Sequence, residues 1–363
     1  MRVLLAGGGT GGHLIPALAL AQALRDAEPS VELLLVGARR GIEAELLPRQ
    51  PFRHRLLQIE PIYRRAWWRN ARWLWLAPHV WRDVGRLLRE ERPAVVIGTG
   101  GYAAGPVVLR AQRAGIPTAL VEENAVPGLT TRWLARGARQ VHLGFPEARD
   151  RLSPGAHTEI FALGNPVRPP EPGDPRAARR ALGLDPDRPT VLVFGGSQGA
   201  RALNETVARV IQRGSLGDIN LVWGTGTMHL ERYAALAIPG RVAIRGFVDP
   251  IGAAYAAADL VVARAGAMTV SELCAWGKPS VLVPLPTAAA DHQTFNAQAL
   301  ASAGASVMLL EREFTAEAFS STVVGLAHDD PRLAALARSA RGRGHPNAAR
   351  TIVAKVLELS QVA

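Results

Sequence analysis

The chain has 363 residues, 48% of them apolar and 20% charged, a size that asks for two hydrophobic cores and a balance that excludes a disordered polymer. Its single cysteine, Cys274, excludes an internal disulfide and suits a reducing compartment. The net charge of +11 is uneven: residues 1–150 hold 21 Arg against 13 acids, so the first half is expected to be drawn to an anionic surface, either phospholipid or nucleic acid.

In chain order, the opening reads as a strand (Arg2–Ala6), a glycine loop (Gly7–Gly12), a helix over about Leu14–Leu24 and a strand (Val31–Val36). The glycines interrupt any signal-peptide core, and no run reaches the roughly 18 apolar residues of a membrane span. Apolar strands follow at Ala94–Ile97 and Thr118–Val121. The pattern then restarts: a strand (Thr190–Phe194), a second glycine loop (Gly195–Gly199), a helix (Ala200–Gln212), and strands at Asn220–Trp223, Leu260–Ala263 and Ser280–Val283. Strands alternating with helices predict parallel sheets covered on both faces. The restart predicts an α/β chain of two Rossmann-like, doubly wound domains facing a deep cleft. Their expected bounds are 1–165 and 166–345, joined at Gly164-Asn165-Pro166, with a final helix over about 346–363 packing back on the first domain.

The loop Gly7-Gly8-Gly9-Thr10-Gly11-Gly12 has the G-x-G-x-x-G spacing that lets main-chain N–H groups approach an anion at a helix N-terminus. A dinucleotide fingerprint also needs an acid after the second strand. Gly37-Ala38-Arg39-Arg40 stands there instead, which disfavours NAD and leaves NADP as a minor alternative. His13 lies in the first helical turn, where the macrodipole is expected to keep its ring neutral and able to accept a proton, unless it merely caps or packs the loop.

In the second half, Gly195–Gly199 with Ser197 reads as another anion cradle or as a tight strand–helix connection. The segment Arg264–Glu272 follows a strand and opens a helix. Its small residues would admit a phosphate or ribose, with Glu272 accepting sugar hydroxyls, although Thr269 and Glu272 also have capping-box spacing. Gln293 and Asn124 are amides suited to sugar hydroxyls. The histidines show no metal-ligand spacing, and Asp185-Pro186-Asp187 reads as a turn, so no metal site is expected.

Five of the eight tryptophans (Trp67, Trp68, Trp73, Trp75 and Trp81) fall within fifteen residues, interleaved with arginines. Beyond Pro78, Val80, Val84, Leu87 and Leu88 form an inward helical stripe, with Arg82, Arg86 and Arg89 opposite. Trp67, Trp68 and Trp75 with Arg82 and Arg86 suit a bilayer interface. The alternatives are a packed tryptophan cluster or stacking on single-stranded nucleic acid.

Taken together, GGGTGGH (Gly7–His13), GTGGYAAGP (Gly98–Pro106), EEN (Glu122–Asn124), PGLTTRWLA (Pro127–Ala135), GNPVR (Gly164–Arg168), GGSQGAR (Gly195–Arg201), ARAGAMTVSEL (Ala263–Leu273) and DHQTFNA (Asp291–Ala297) closely resemble the MurG family over nearly the whole chain. These are the N-acetylglucosaminyltransferases of bacterial cell-wall synthesis. The resemblance implies an inverting glycosyltransferase of the GT-B type with no tightly bound cofactor or catalytic metal. It would move GlcNAc from UDP-GlcNAc to the C4 hydroxyl of MurNAc in lipid I, the undecaprenyl-pyrophosphoryl-MurNAc-pentapeptide, at the cytoplasmic face of the membrane. It further implies that Arg168 and the Val248 backbone hold uracil and Glu272 the ribose. Ser197 and the turn at Ala267, Met268 and Thr269, continuing through Val270 and Ser271, would hold the pyrophosphate. Gln293 and Asn124 would read GlcNAc hydroxyls, and Thr10, Gly11 and Gly12 would close over the donor. His13 is the expected base and Glu122 its understudy; the partners are the two substrates and an anionic phospholipid surface, not nucleic acid. Val121-Glu122-Glu123-Asn124 departs from the family's common His-Glu-Gln-Asn, and Thr294 stands where some members have a second Gln. Rival readings are a diacylglycerol glycosyltransferase, a UDP-GlcNAc epimerase, or a non-catalytic binder built on the basic first half.

Overall fold

A computed structural model of the chain describes residues 1–61, 67–171, 173–196 and 198–361. It divides into two units, Met1–Arg168 together with the chain from Asn347 onward, and Pro169–Pro346. The division falls after Arg168 because the Gly164–Arg168 segment is tied to the first sheet: Asn165 Nδ2 donates to the Glu123 carbonyl at 2.9 Å, and Gly164 N–H donates to that of Leu143.

The first unit is a seven-stranded parallel sheet of β1 (Arg2–Ala6), β2 (Glu32–Ala38), β3 (Arg53–Leu57), β4 (Val95–Gly98), β5 (Thr118–Glu122), β6 (Gln140–Leu143) and β7 (Glu159–Phe161). Their order is β3-β2-β1-β4-β5-β6-β7. Alternate side chains feed opposite layers, as a strand's two-residue period requires. Val3 and Leu5 pack with Leu14, Leu20 and Leu24 of the helix Gly11–Ala27 and with Ile352, Val353 and Val356 of the helix Ala348–Gln361. Leu4 and Ala6 join the opposite layer, where Val80, Val84, Leu87 and Leu88 of the helix Trp73–Glu91 form the inward stripe. That helix starts ahead of Pro78 rather than after it. Pro78 is its sixth residue, past the first turn, so the helix forgoes the bond that an N–H there would make to the Leu74 carbonyl.

The second unit has six parallel strands: β8 (Thr190–Phe194), β9 (Asn220–Gly224), β10 (Val242–Arg245), β11 (Leu260–Ala263), β12 (Ser280–Leu282) and β13 (Val307–Met308). Their order is β10-β9-β8-β11-β12-β13. In each sheet the winding reverses beside the unit's first strand, between β1 and β4 and between β8 and β11, which is where an open α/β sheet gathers its binding loops.

Candidate functional site

At the first switch point, three strand ends bring their loops together. The turn after β4 passes through Gly100 (φ 89°) and Gly101 (φ 76°), left-handed conformations that favour glycine. A Cβ on Gly101 would lie 1.9 Å from the Gly8 carbonyl oxygen, and one on Gly100 would lie 2.7 Å from His13 Nδ1. The His13 ring, from the helix that follows β1, is therefore seated directly on the β4 turn. Thr99 Oγ1 holds the same residue by donating to its carbonyl at 2.7 Å.

The ring meets a partner that sequence reasoning passed over. Glu123, one residue past β5, places Oε2 3.2 Å from His13 Nδ1, with the ring 27% exposed and the carboxylate 2%. This corrects the expectation of a neutral imidazole. Burial pulls the ring's pKa down, but the Glu123 charge and hydrogen bond, helped by Glu122, outweigh it and raise the pKa to about 9. For Glu123, burial pushes its carboxyl up to about 7 against the pull of His13. Glu122 has a different task. Its Oε1 accepts the Asn124 N–H at 3.1 Å and its Oε2 the Gly128 N–H at 2.9 Å, so it braces the loop that carries Asn124.

The loop Gly7–Gly12 is also occupied by the protein itself. Glu43 is fully buried, and its carboxylate accepts the Gly9 N–H at 2.9 and 3.0 Å and the Ala38 N–H at 3.0 Å. A Cβ on Gly8, Gly37 or Gly41 would come within 2.5–2.7 Å of that side chain. Part of the expected phosphate cradle is thus filled by an internal anion. Thr10 and Gly12, at the start of the helix, are exposed, and Gly11 is half-buried.

At the second switch point Ser197 lies outside the described residues. Among the described residues, nothing beyond the chain neighbours lies within 4 Å of where a Cβ on Gly196 or Gly266 would sit. The helix Ala267–Trp276 is capped by Gly266 without a side-chain bond, which places Thr269 and Glu272 inside the helix and removes the capping-box alternative. Met268, Thr269, Ser271 and Glu272 are half-buried, whereas Val270 sits in the core and can offer only its main chain. The buried Tyr255 hydroxyl donates to Glu272 Oε2 at 3.0 Å. Gln293 Oε1 accepts the Leu285 N–H at 3.0 Å, which turns the amide nitrogen to other partners. Arg264 braces the neighbouring loop, donating to the Val283 and Pro284 carbonyls at 3.1 Å each. Val248 follows β10 and packs on Gly224 at the end of β9. Arg168 is exposed at the last position of the first unit.

The tryptophan stretch splits. Trp68 (63%) and Trp75 (80%) are exposed, as are Leu74, Arg82 and Arg86. Trp73 packs against the core, and Trp81 lies beneath the Arg110 guanidinium at 4.9 Å. The Trp67 side chain lies outside the described residues. No described helix is long and apolar enough to cross a membrane.

Against known proteins, residues 3–143 match the glycosyltransferase family 28 N-terminal domain and residues 190–352 its C-terminal domain. The chain is 42% identical, over 99% of its length and 100% of the relative's, to the UDP-N-acetylglucosamine–N-acetylmuramyl-(pentapeptide) pyrophosphoryl-undecaprenol N-acetylglucosamine transferase of Chlorobaculum tepidum. It is 40% identical to the protein of that name from Moorella thermoacetica, over 99% of each chain. Among solved structures, Acinetobacter baumannii MurG superposes with a TM-score of 0.78 at 29% identity, covering 98% of this chain and 99% of that one. The chain belongs to glycosyltransferase family 28, with the paired parallel-sheet α/β domains of the GT-B class.

Proposed function

We propose that the chain is an inverting transferase that moves GlcNAc from UDP-GlcNAc to the C4 hydroxyl of MurNAc in lipid I, giving lipid II. The observation that carries this reading is the His13–Glu123 pair, seated at the first sheet's switch point in a chain that matches the named transferases from end to end. The acceptor hydroxyl attacks the anomeric carbon as the bond to UDP breaks, and the hydroxyl proton passes to His13. The leaving diphosphate keeps the electron pair, and main-chain N–H groups at Gly196 and at the start of the Ala267–Trp276 helix stabilise its charge, so no tightly bound metal or cofactor is required. Glu272, Gln293, Val248 and Arg168 read the donor, as the family pattern implies, with Asn124 on the GlcNAc hydroxyls.

Because the ring must be unprotonated to accept a proton, turnover rises with pH toward about 9, the value that Glu123 imposes on His13. The test is transfer from labelled UDP-GlcNAc by the purified protein. Product on lipid I and none on diacylglycerol is expected; no transfer, or equal transfer to diacylglycerol, sinks the reading.

The exposed Trp68, Leu74 and Trp75, beside Arg82 and Arg86, support peripheral attachment to the cytoplasmic face of the membrane. Replacing Trp68 and Trp75 by Ser should weaken co-sedimentation with anionic vesicles by about tenfold or more, since two rings burying roughly 100 Å² each contribute about 5 kcal/mol at most. Unchanged sedimentation removes this surface from membrane binding.

A further inference from the structure

The geometry points to Glu123 as a positioning residue that orients and charges the base, so that this chain accepts the acceptor's proton on a carboxylate–imidazole pair. The inference rests on the proposed role of His13. Three observations carry it. Glu123 Oε2 lies 3.2 Å from His13 Nδ1. Its other oxygen, Oε1, is buried with no hydrogen-bond partner among the described residues, so the ring is the one described side chain that answers its charge. Its main chain is fixed as well, since Asn165 Nδ2 donates to the Glu123 carbonyl at 2.9 Å. A buried carboxylate with one unanswered oxygen is expensive unless a cationic neighbour offsets its charge, which the ring does whenever it is protonated.

Other described groups bear on the ring besides Glu123. Glu122, on the same strand end, adds a second negative charge but spends its oxygens on Asn124 and Gly128. Gly100 and Gly101 form the floor against which the ring lies. The N-terminus of the helix Gly11–Ala27 opposes a positive ring, and the Glu123 charge offsets it.

In the reaction, Nδ1–H donates to Oε2 and fixes the tautomer, which leaves the lone pair on Nε2. Nε2 takes the acceptor hydroxyl's proton as the new glycosidic bond forms and the bond to UDP breaks. The imidazolium that results is held against Glu123, which stays ionised throughout, the division of labour seen in carboxylate-oriented histidines generally. An amide at this position could accept the Nδ1–H but could not stabilise the cation.

Two measurements on the full-length protein test this. The first is the titration of His13 followed by NMR on histidine-labelled protein, with the signal assigned by its loss in His13→Ala. Wild-type His13 is expected to titrate above the ordinary 6.5, and in Glu123→Gln its pKa should fall by about 1–3 pH units, the usual pull of a carboxylate at this distance. The second is the pH dependence of transfer. The acid limb of kcat should move down by the same amount in Glu123→Gln, and limiting kcat should drop on the order of tenfold as the base weakens, with KM for UDP-GlcNAc unchanged. A wild-type His13 titrating at or below 6.5, or an acid limb that stays in place in the variant, overturns the inference. The wild-type titration decides the matter alone should the variant not fold. It also separates this inference from the proposed function, because absence of transfer by the wild type counts against the function while leaving the ring's titration readable.

Discussion

The two glycine loops look interchangeable in sequence and differ in what surrounds them. Gly7–Gly12 is crowded by the protein: Glu43 takes the Gly9 N–H, Tyr102 packs where a Gly9 side chain would go, and Thr99 lies against Gly7. In the second loop Gly195 is closed in by Ala200 and Gly199 by the Thr225 carbonyl, whereas nothing described comes within 4 Å of a hypothetical Cβ on Gly196, or on Gly266 at the neighbouring helix start. A glycine-rich turn at a strand end is a way of bringing main chain close to something, and the motif does not say to what. In the first unit much of that something is internal, and the loop's product is a well-placed histidine. In the second the flanking glycines serve internal packing too, and the middle one, Gly196, stays open among the described residues, as an anion cradle needs.

The proposed function places catalysis at the first loop and donor binding at the second, and the largest effect should come from testing that split. His13→Ala should cut turnover about 100- to 10,000-fold while the Kd for UDP-GlcNAc, measured by calorimetry, stays within about twofold. Near-wild-type turnover would remove His13 from the base role, and a matching loss of affinity would erase the distinction between the loops.

A smaller effect tests the crowding itself. Removing the carboxylate in Glu43→Ala leaves the buried Ala38 N–H and the half-buried Gly9 N–H unpaired, at about 1–3 kcal/mol each with Gly9 at the low end. Urea unfolding should register a loss of about 2–5 kcal/mol, with UDP-GlcNAc affinity unchanged in the fraction that remains folded. If the variant instead bound the nucleotide more tightly, the first loop would be a phosphate cradle that Glu43 occupies in competition.

The sequence made the sheets legible wherever strands were buried on both faces. Runs such as Val3-Leu4-Leu5 and Leu260-Val261-Val262 have no polar interruption to confuse them. It hid the edges. Arg53-His54-Arg55, which opens β3 at the rim of the first sheet, is exposed and reads as a loop, and β13 is two half-buried residues. The site was legible where chemistry and glycine coincide, as at His13, and not where a partner arrives from a distant strand. Glu123 is adjacent in sequence to the candidate Glu122, yet only the fold decides which of the two meets the ring: alternate residues of an extended chain point to opposite sides. Glu43 had a faint signal in Gly37 and Gly41, glycines that make sense once a buried side chain needs the room.

The smallest effect sharpens the donor side. The hydroxyl of the fully buried Tyr255 donates to Glu272 Oε2, so it orders the carboxylate proposed to hold the ribose. Tyr255→Phe deletes that donor and keeps the ring packed between Phe194 and Trp276. Stability should change by about 1 kcal/mol, the worth of an ordinary buried hydrogen bond. KM for UDP-GlcNAc should rise about three- to tenfold with kcat nearly unchanged, because a looser Glu272 weakens ground and transition states alike. The discriminating comparison uses a donor lacking the ribose 2′-hydroxyl. If Glu272 reads that sugar, the variant and the wild type should converge on the deoxy donor, since the ordered carboxylate no longer has a hydroxyl to accept. A gap that persists would mean that Tyr255 acts on the shape of the Ala267–Trp276 helix start instead, and the open positions at Gly196 and Gly266 would then matter for the diphosphate alone.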